Sequence, residues 1–171
     1  LYKSLKIPIK ILNTRKHDYI EIEGQKNFKA FNYYVPGDIS SSAFFLVLAL
    51  LAKKSKLIIK NVNINPSRDG IIRILKKMGA KTHYDNIKIY KGEKIANIHV
   101  RSSKYIKSVK CPTNLNSSAI DEFLIIFLVA AKAKGVSYFR NLSELNQKES
   151  PRLKWAEKIL RNLGVRTIVT S

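Results

Sequence analysis

The feature that most limits how this chain can fold is that it carries one pattern twice. Residues 41 to 83 run Ser-Ser-Ala-Phe-Phe-Leu-Val-Leu-Ala-Leu-Leu, a strand-like stretch to Asn61, a loop, and an amphipathic stretch from Ser67 to Gly79. The pattern recurs at 121 to 168 as Asp-Glu-Phe-Leu-Ile-Ile-Phe-Leu-Val-Ala-Ala, a stretch to Asn141, a loop, and Ser150 to Gly164. A unit too small to bury its apolar face alone has to stack on its copy, so the repeat restricts the architecture to like units packed together. The copies differ in charge: Asn65-Pro66-Ser67-Arg68-Asp69 in the first loop stands against Gln147-Lys148-Glu149-Ser150-Pro151-Arg152 in the second. Function grafted onto one copy of a reused scaffold unit has this asymmetry.

Periodicity and punctuation fill in the elements. A helix is expected from Ser41 to Lys53, with Ser40, Ser41 or Ser42 as cap, and its all-round apolar surface predicts burial on most sides. A strand follows at Leu57 to Val62. Pro66 to Asp69 then opens a helix with an Ile71, Ile72, Leu75 and Met78 face, ended by Gly79 in a left-handed cap. Strands near Lys81 to Tyr84, Ile87 to Tyr90 and Ala96 to Val100 complete a βαβαββ unit, which makes the chain mixed α/β. The second copy predicts a helix at Asp121 to Lys134, a strand at Val136 to Asn141, a helix at Ser150 to Leu163 with Gly164 as cap, and a strand at Val165 to Val169. Ahead of both, Lys6 to Leu12 and His17 to Ile22 read as a hairpin about Asn13-Thr14-Arg15-Lys16. Phe28 to Val35 reads as a further extended stretch, and Pro36-Gly37-Asp38 as a boundary or hinge. The first residues read as the end of a helix and the second copy lacks closing strands, so both ends read as cut.

Composition narrows the function. The chain has 171 residues, 45% of them hydrophobic, enough for a packed core. Its longest apolar runs, Ala43 to Ala52 and Phe123 to Ala131, are too short to span a bilayer. With no charged-then-apolar leader, the expected location is the cytoplasm. Cys111, the single cysteine, reads as a buried inert thiol. Thirty-two Lys and Arg against 12 Asp and Glu give +20, a balance that raises nucleic-acid binding first. Yet the cations are scattered, as at Lys3, Lys26, Lys60, Lys88, Lys110 and Lys158, with no basic run longer than two and no aromatic-interleaved strand. That scatter fits compositional drift or anionic small substrates better than a nucleic-acid surface. His17, His83 and His99 read as ordinary, isolated strand residues. No glycine-rich phosphate loop or metal-ligand cluster appears, so no cofactor is expected.

Two places carry candidate chemistry. Asp121 sits at the start of an otherwise apolar helix, where free amides and the helix dipole favour a carboxylate. A plain helix cap is the simpler reading, although Ser117 or Ser118 would serve without placing charge there. Lys148, Glu149 and Arg152 flank the start of the next helix, and Lys148 and Arg152 are spaced to share a side. They read either as solvated surface charge or, since cations oppose the dipole there, as part of a phosphate or carboxylate site.

These residues resemble a known family. Val35-Pro36-Gly37-Asp38-Ile39-Ser40-Ser41-Ser42-Ala43-Phe44-Phe45, Pro66-Ser67-Arg68-Asp69-Gly70, Lys77-Met78-Gly79-Ala80, Ile120-Asp121-Glu122 and Lys148-Glu149-Ser150-Pro151-Arg152-Leu153 resemble, in order and spacing, the 5-enolpyruvylshikimate-3-phosphate synthases. The resemblance implies the inverted α/β barrel-like fold of the enolpyruvyl transferases, with two domains of three βαβαββ units. Residues 1 to 35 would then be the tail of the N-terminal domain and 36 to 171 part of the C-terminal domain, with a complete unit at about 36 to 100 and an interrupted one at about 101 to 171. The implied reaction transfers the enolpyruvyl group of phosphoenolpyruvate to the 5-hydroxyl of shikimate 3-phosphate, without cofactor or metal, in a protein monomeric at full length.

By resemblance Asp121 accepts the hydroxyl proton and Glu149 exchanges a proton at the methylene carbon. Lys148 contacts the shikimate moiety and Arg152 the phosphoenolpyruvate. Pro151 departs from the family's usual Asp, removing a carboxylate that could orient Arg152. The family's remaining substrate ligands fall outside these residues, so the chain alone is expected to be inactive. The Ser40 to Ser42 run belongs to the domain crossing, not to the family's shikimate-phosphate site. Two other readings stand beside this one: a sibling transferase acting on another acceptor such as UDP-N-acetylglucosamine, and a non-catalytic basic module that binds nucleic acid.

Overall fold

The computed structural model describes residues 2–170 other than 15, 16, 25, 26 and 28. Tyr2–Leu5 forms a short 3-10 turn. Strands β1 (Ile9–Asn13) and β2 (Asp18–Ile22) pair antiparallel from Ile9 opposite Ile22 to Asn13 opposite Asp18. This is the expected hairpin; Arg15 and Lys16 of its turn lie outside the described residues. Of the extended stretch expected at Phe28 to Val35, Phe28 is outside the described residues and 29–35 join no ladder. Aromatic contact holds the segment instead, with Tyr33 against the Tyr90 ring at 5.5 Å and the Tyr34 amide donating to the Tyr90 Oη at 3.0 Å.

The first unit begins where Gly37 pairs in parallel with Val62, its amide on the Asn61 carbonyl and its carbonyl taking the Asn63 amide, both at 2.9 Å. Helix α1 (Ile39–Leu51) starts earlier than the serines suggest. Asp38, extended at φ −80 and ψ 134, accepts the Ser41 amide at 2.7 Å and is the cap. The helix is not buried on most sides. Ile39, Ala43, Leu46, Val47 and Leu50 enter the core, whereas Phe44, Phe45 and Leu48 are 64%, 60% and 65% exposed. An apolar helix reports its affinity for cover; packing decides how much of it is covered.

Strand β3 (Lys56–Asn63), helix α2 (Gly70–Lys77) and strands β4 (Lys81–Tyr90) and β5 (Glu93–Arg101) complete the unit. The sheet order is β3-β5-β4, antiparallel throughout. The two strands expected at 81–84 and 87–90 are one, because an irregularity between Asp85 and Lys88, with Asn86 at φ 47, absorbs the extra residue without ending the ladder. The α2 face of Ile71, Ile72 and Leu75, followed by Met78, is fully buried, and Gly79 ends the helix at φ 89 as its missing Cβ allows.

The second unit repeats the backbone but not every strand. Two 3-10 turns, Thr113–Leu115 and Ser117–Ala119, lead into α3 (Phe123–Ala131), which is shorter than the 121 to 134 predicted. Val136 to Asn141 is not a strand. It follows Lys107 to Cys111 through isolated parallel bridges at Lys107–Lys134 and Lys110–Tyr138, the same relation that Gly37 has to β3. Residues 165–170 likewise form no strand, since no neighbour among the described residues offers a ladder. The copies nonetheless match at special backbone positions: Asn61 at φ 52 answers to Asn141 at φ 56, and Gly79 to Gly164 at φ 77. Helix α4 (Arg152–Asn162) closes the unit. Helix α3, with Phe123, Ile126 and Val129 buried, packs on both α1 and α2, and Phe127 and Phe139 meet edge to face at 5.0 Å, so the units share one core. Fully burying side chains of this kind is worth about 1.5–3 kcal/mol each. Cys111 is buried, and burial pushes its thiol up, as expected of an inert cysteine. Among the described residues no helix is long and apolar enough to cross a membrane.

Candidate functional site

The site forms at the seam between the units, and local backbone chemistry aims each side chain at it. After β3, the Asn65 side chain accepts the Ser67 amide at 3.1 Å and its carbonyl accepts the Arg68 amide at 2.8 Å, a tight turn that turns Arg68 toward the second unit. Gly70 then lies so close to the Ser117–Ala119 turn that a Cβ would stand 2.4 Å from the Ser118 Oγ and 2.7 Å from its carbonyl oxygen. That approach, open only to glycine, sets the start of α2 beside the segment leading to Asp121. Asn116 braces the same segment, its amide nitrogen donating to the Arg140 and Asn141 carbonyls at 2.8 and 3.0 Å. Asp121 consequently precedes α3 and is not in its first turn; neither it nor Ser117 or Ser118 caps the helix, and Ser118 instead donates to the Leu115 carbonyl. On the far side, Asn146 Oδ1 accepts the Leu153 and Lys154 amides at 3.1 and 3.3 Å and so caps α4, whose first residue is Arg152.

Asp121 is the centre. Its Oδ1 lies 3.4 Å from the Arg152 guanidinium and 3.8 Å from the Lys148 Nζ, and its Oδ2 lies 3.5 Å from the Arg68 guanidinium. The carboxylate is one-third exposed. Three cations thus face one carboxylate. Arg152 reaches Glu149 Oε2 at 2.9 Å with its other nitrogen, and Lys148 stands 3.7 Å from Glu144 Oε1. Glu149 is 82% exposed; a hydrogen bond from its own backbone amide and the Arg152 guanidinium hold its carboxyl below the usual carboxylate range. Behind Arg68, the Ser40 hydroxyl accepts from the guanidinium at 2.9 Å and donates to Glu122. Glu122 is buried, and desolvation with the nearby Asp121 and Asp38 charges pushes its carboxyl up against the opposing effects of Ser40 and Arg68. Asp38 is held below its usual range because hydrogen bonds from Ser41 and Ser40 and the charge of Arg68 outweigh its partial burial.

The four residues picked from sequence therefore converge, Glu149 through Arg152. Pro151 does not leave Arg152 without an orienting carboxylate, since Asp121 and Glu149 both hold it. Sequence reasoning missed Arg68, Ser40, Glu122 and the Asn146 cap. The signal for Arg68 was its place in the first loop, opposite the Lys-Glu-Ser run of the second copy. The histidines on β4 and β5 are also less isolated than expected. His83 and His99 face each other across the strands with rings stacked at 4.4 Å, and Asp85 lies 2.6 Å from the His99 Nε2. Among the described residues no group of three or more potential ligands is arranged to hold a metal ion.

Repeated α/β units sharing a core thus meet at a seam where one carboxylate faces three cations. The chain belongs to the EPSP synthase family, whose model, described as EPSP synthase (3-phosphoshikimate 1-carboxyvinyltransferase), matches residues 3–171. The 3-phosphoshikimate 1-carboxyvinyltransferase of Caldicellulosiruptor saccharolyticus is 46% identical over 138 residues, covering 81% of this chain and 32% of that protein. The protein of the same name from Vesicomyosocius okutanii is 42% identical over 154 residues, covering 90% of this chain and 35% of its own. A solved structure of EPSP synthase from Acinetobacter baumannii superposes with a TM-score of 0.83 at 36% identity, covering 93% of this chain and 35% of that one. The mixed α/β fold expected from the resemblance is thus the fold found. The chain spans about a third of the length of the curated relatives it matches.

Proposed function

We propose that this chain supplies one side of a site that transfers the enolpyruvyl group of phosphoenolpyruvate to the 5-hydroxyl of shikimate 3-phosphate, releasing phosphate. The observation that carries the reading is the Asp121 carboxylate set among Arg68, Lys148 and Arg152. A base is needed at the attacking hydroxyl and cations at the two phosphorylated partners, and this seam offers both. Asp121 takes the hydroxyl proton as the oxygen adds to the enolpyruvyl carbon, while the methylene carbon gains a proton. Loss of a proton from that carbon and of phosphate then forms the product. Lys148 steers the shikimate moiety and Arg152 the phosphoenolpyruvate.

Glu149 is the residue for the methylene proton, and its environment sets a condition. Its own backbone amide and the Arg152 guanidinium hold its carboxyl below the usual carboxylate range, and an anion that draws Arg152 away removes the second of these effects. In this reading residues 1 to 35 close the N-terminal domain, 36 to 171 belong to the C-terminal domain, the partners are the two small anions, and the full-length protein is monomeric and cytoplasmic.

The test is phosphate release from the two substrates, by the chain alone and by a chimera in which it replaces the matching third of the Acinetobacter baumannii synthase. The chain alone is expected to be silent and the chimera to turn over, with Asp121→Asn lowering kcat by about 10²–10⁴-fold. A folded chimera that releases no phosphate overturns the reading.

A further inference from the structure

Glu122 is a costly residue in its place. It is 3% exposed, and burial of a carboxyl without compensation is strongly unfavourable. It stands at the N-cap position of α3 and yet its side chain caps nothing. Its side-chain partner is the Ser40 hydroxyl, 82 residues earlier in the chain. That hydroxyl in turn accepts from Arg68, whose other terminal nitrogen faces Asp121 Oδ2. The polarity is consistent throughout: the guanidinium donates to the serine, and the serine donates to the carboxyl.

The two oxygens of Asp121 are thereby treated differently. Oδ1 faces Lys148 and Arg152, the cations that a bound anion would share. Oδ2 faces Arg68, which has the acidic groups Asp38 and Glu122 at its back. A cation so surrounded by carboxyls is a poor site for a further anion and a good support for a neighbouring carboxylate.

We propose that Arg68 is a positioning residue, anchored through Ser40 on the buried Glu122, which fixes the orientation of Asp121 without contacting substrate. The proposal rests on the reading of Asp121 as proton acceptor, and it adds the three side chains that hold that carboxylate once Lys148 and Arg152 are engaged by anions. The clamp joins the start of α1, the loop after β3 and the start of α3, so it also ties the two units together at the reacting group.

The clamp is tested in this chain by following the Glu122 carboxyl with ¹³C NMR through a pH titration. The groups facing it are Asp38 and Ser40 at the start of α1, Arg68 from the loop after β3, and Asp121 beside it. Arg68→Gln and Ser40→Ala are each expected to raise the Glu122 midpoint by about half a unit or more, since each removes an interaction that favours the ionised form. Arg68→Lys keeps the charge and is expected to restore most of the Arg68→Gln shift. A midpoint that moves in neither variant overturns the clamp. In the chimera, Arg68→Gln is expected to lower kcat about tenfold or more and leave the KM for phosphoenolpyruvate within twofold. A loss confined to KM makes Arg68 a substrate ligand and overturns the proposal. A chimera with no turnover at all counts against the functional reading of Asp121, and the titration still decides the clamp.

Discussion

Asp38 and Glu122 are both carboxyls near Arg68, and their surroundings push them in opposite directions. Asp38 caps α1 and is held below its usual range by Ser41, Ser40 and Arg68. Asp38→Ala is expected to cost about 1 kcal/mol in denaturant unfolding at neutral pH. A folded carboxyl with a lowered pKa adds stability above its unfolded value, roughly pH 4, and that stability is lost as pH falls through the folded value. The deficit of the variant should therefore shrink in acid. Glu122, raised by burial, has the opposite sign: its contribution is full below the unfolded value and declines as pH rises through the folded one. Glu122→Gln keeps the acceptor for Ser40 and has no charge to bury. Its melting temperature should match the parent in acid and exceed it at neutral pH, and a variant less stable at neutral pH would refute the assignment of Glu122 as a desolvated carboxyl. Asp121 was legible as a carboxylate before an apolar helix, and Lys148 and Arg152 as cations at the next one. Ser40 and Glu122 were not, because a hydroxyl–carboxyl contact across 82 residues leaves no local spacing to read.

At the level of elements, helix periods survived the passage to structure better than strands did. Helices α1 and α4 stand within two residues of their expected limits, and α2 begins at Gly70, directly after the Pro66 to Asp69 segment expected to open it, since their hydrogen bonds are local and their faces are written in the sequence. Stretches 136–141 and 165–169 read as strands but have no full ladder, because a strand is made by its neighbour. The same distinction predicts mutational cost. Leu50, fully buried on α1, should lose about 2–5 kcal/mol on truncation to alanine. Leu48→Lys on the exposed side should stay within about 0.5 kcal/mol. Chemical denaturation of both variants checks this, and a large loss at Leu48 would mean that the exposed face is covered in solution. Gly70→Ala should destabilise by about 1–3 kcal/mol, because backbone at Ser118 leaves no room for the methyl group. It should also disturb the seam near Asp121 in ¹H–¹⁵N spectra, with the far end of the sheet at β4 and β5 unchanged.

For the whole molecule, the cations behind the charge of +20 are scattered along the chain, although α1 and α3 carry none, whereas the chemistry gathers at one seam. Diffuse charge attracts polyanions through counterion release, and that attraction falls steeply with salt. Duplex DNA should thus be retained at 0.05 M salt, without sequence preference, and be released near 0.2 M in a filter-binding titration; tight retention at the higher salt would favour a nucleic-acid module over a small-anion site. The sequence by itself determined the repeat, the mixed α/β class, the helix faces and the candidate set Asp121, Lys148, Glu149 and Arg152, all of which depend on short-range period and composition. Only the tertiary structure decided that Arg68 from the first copy meets Asp121 from the second, that α1 leaves Phe44, Phe45 and Leu48 uncovered, and that Glu122 is a buried acid and not a cap. Those facts depend on which surfaces meet when two like units stack, and stacking is set by contacts far apart along the chain, such as the close approach of Gly70 to Ser118.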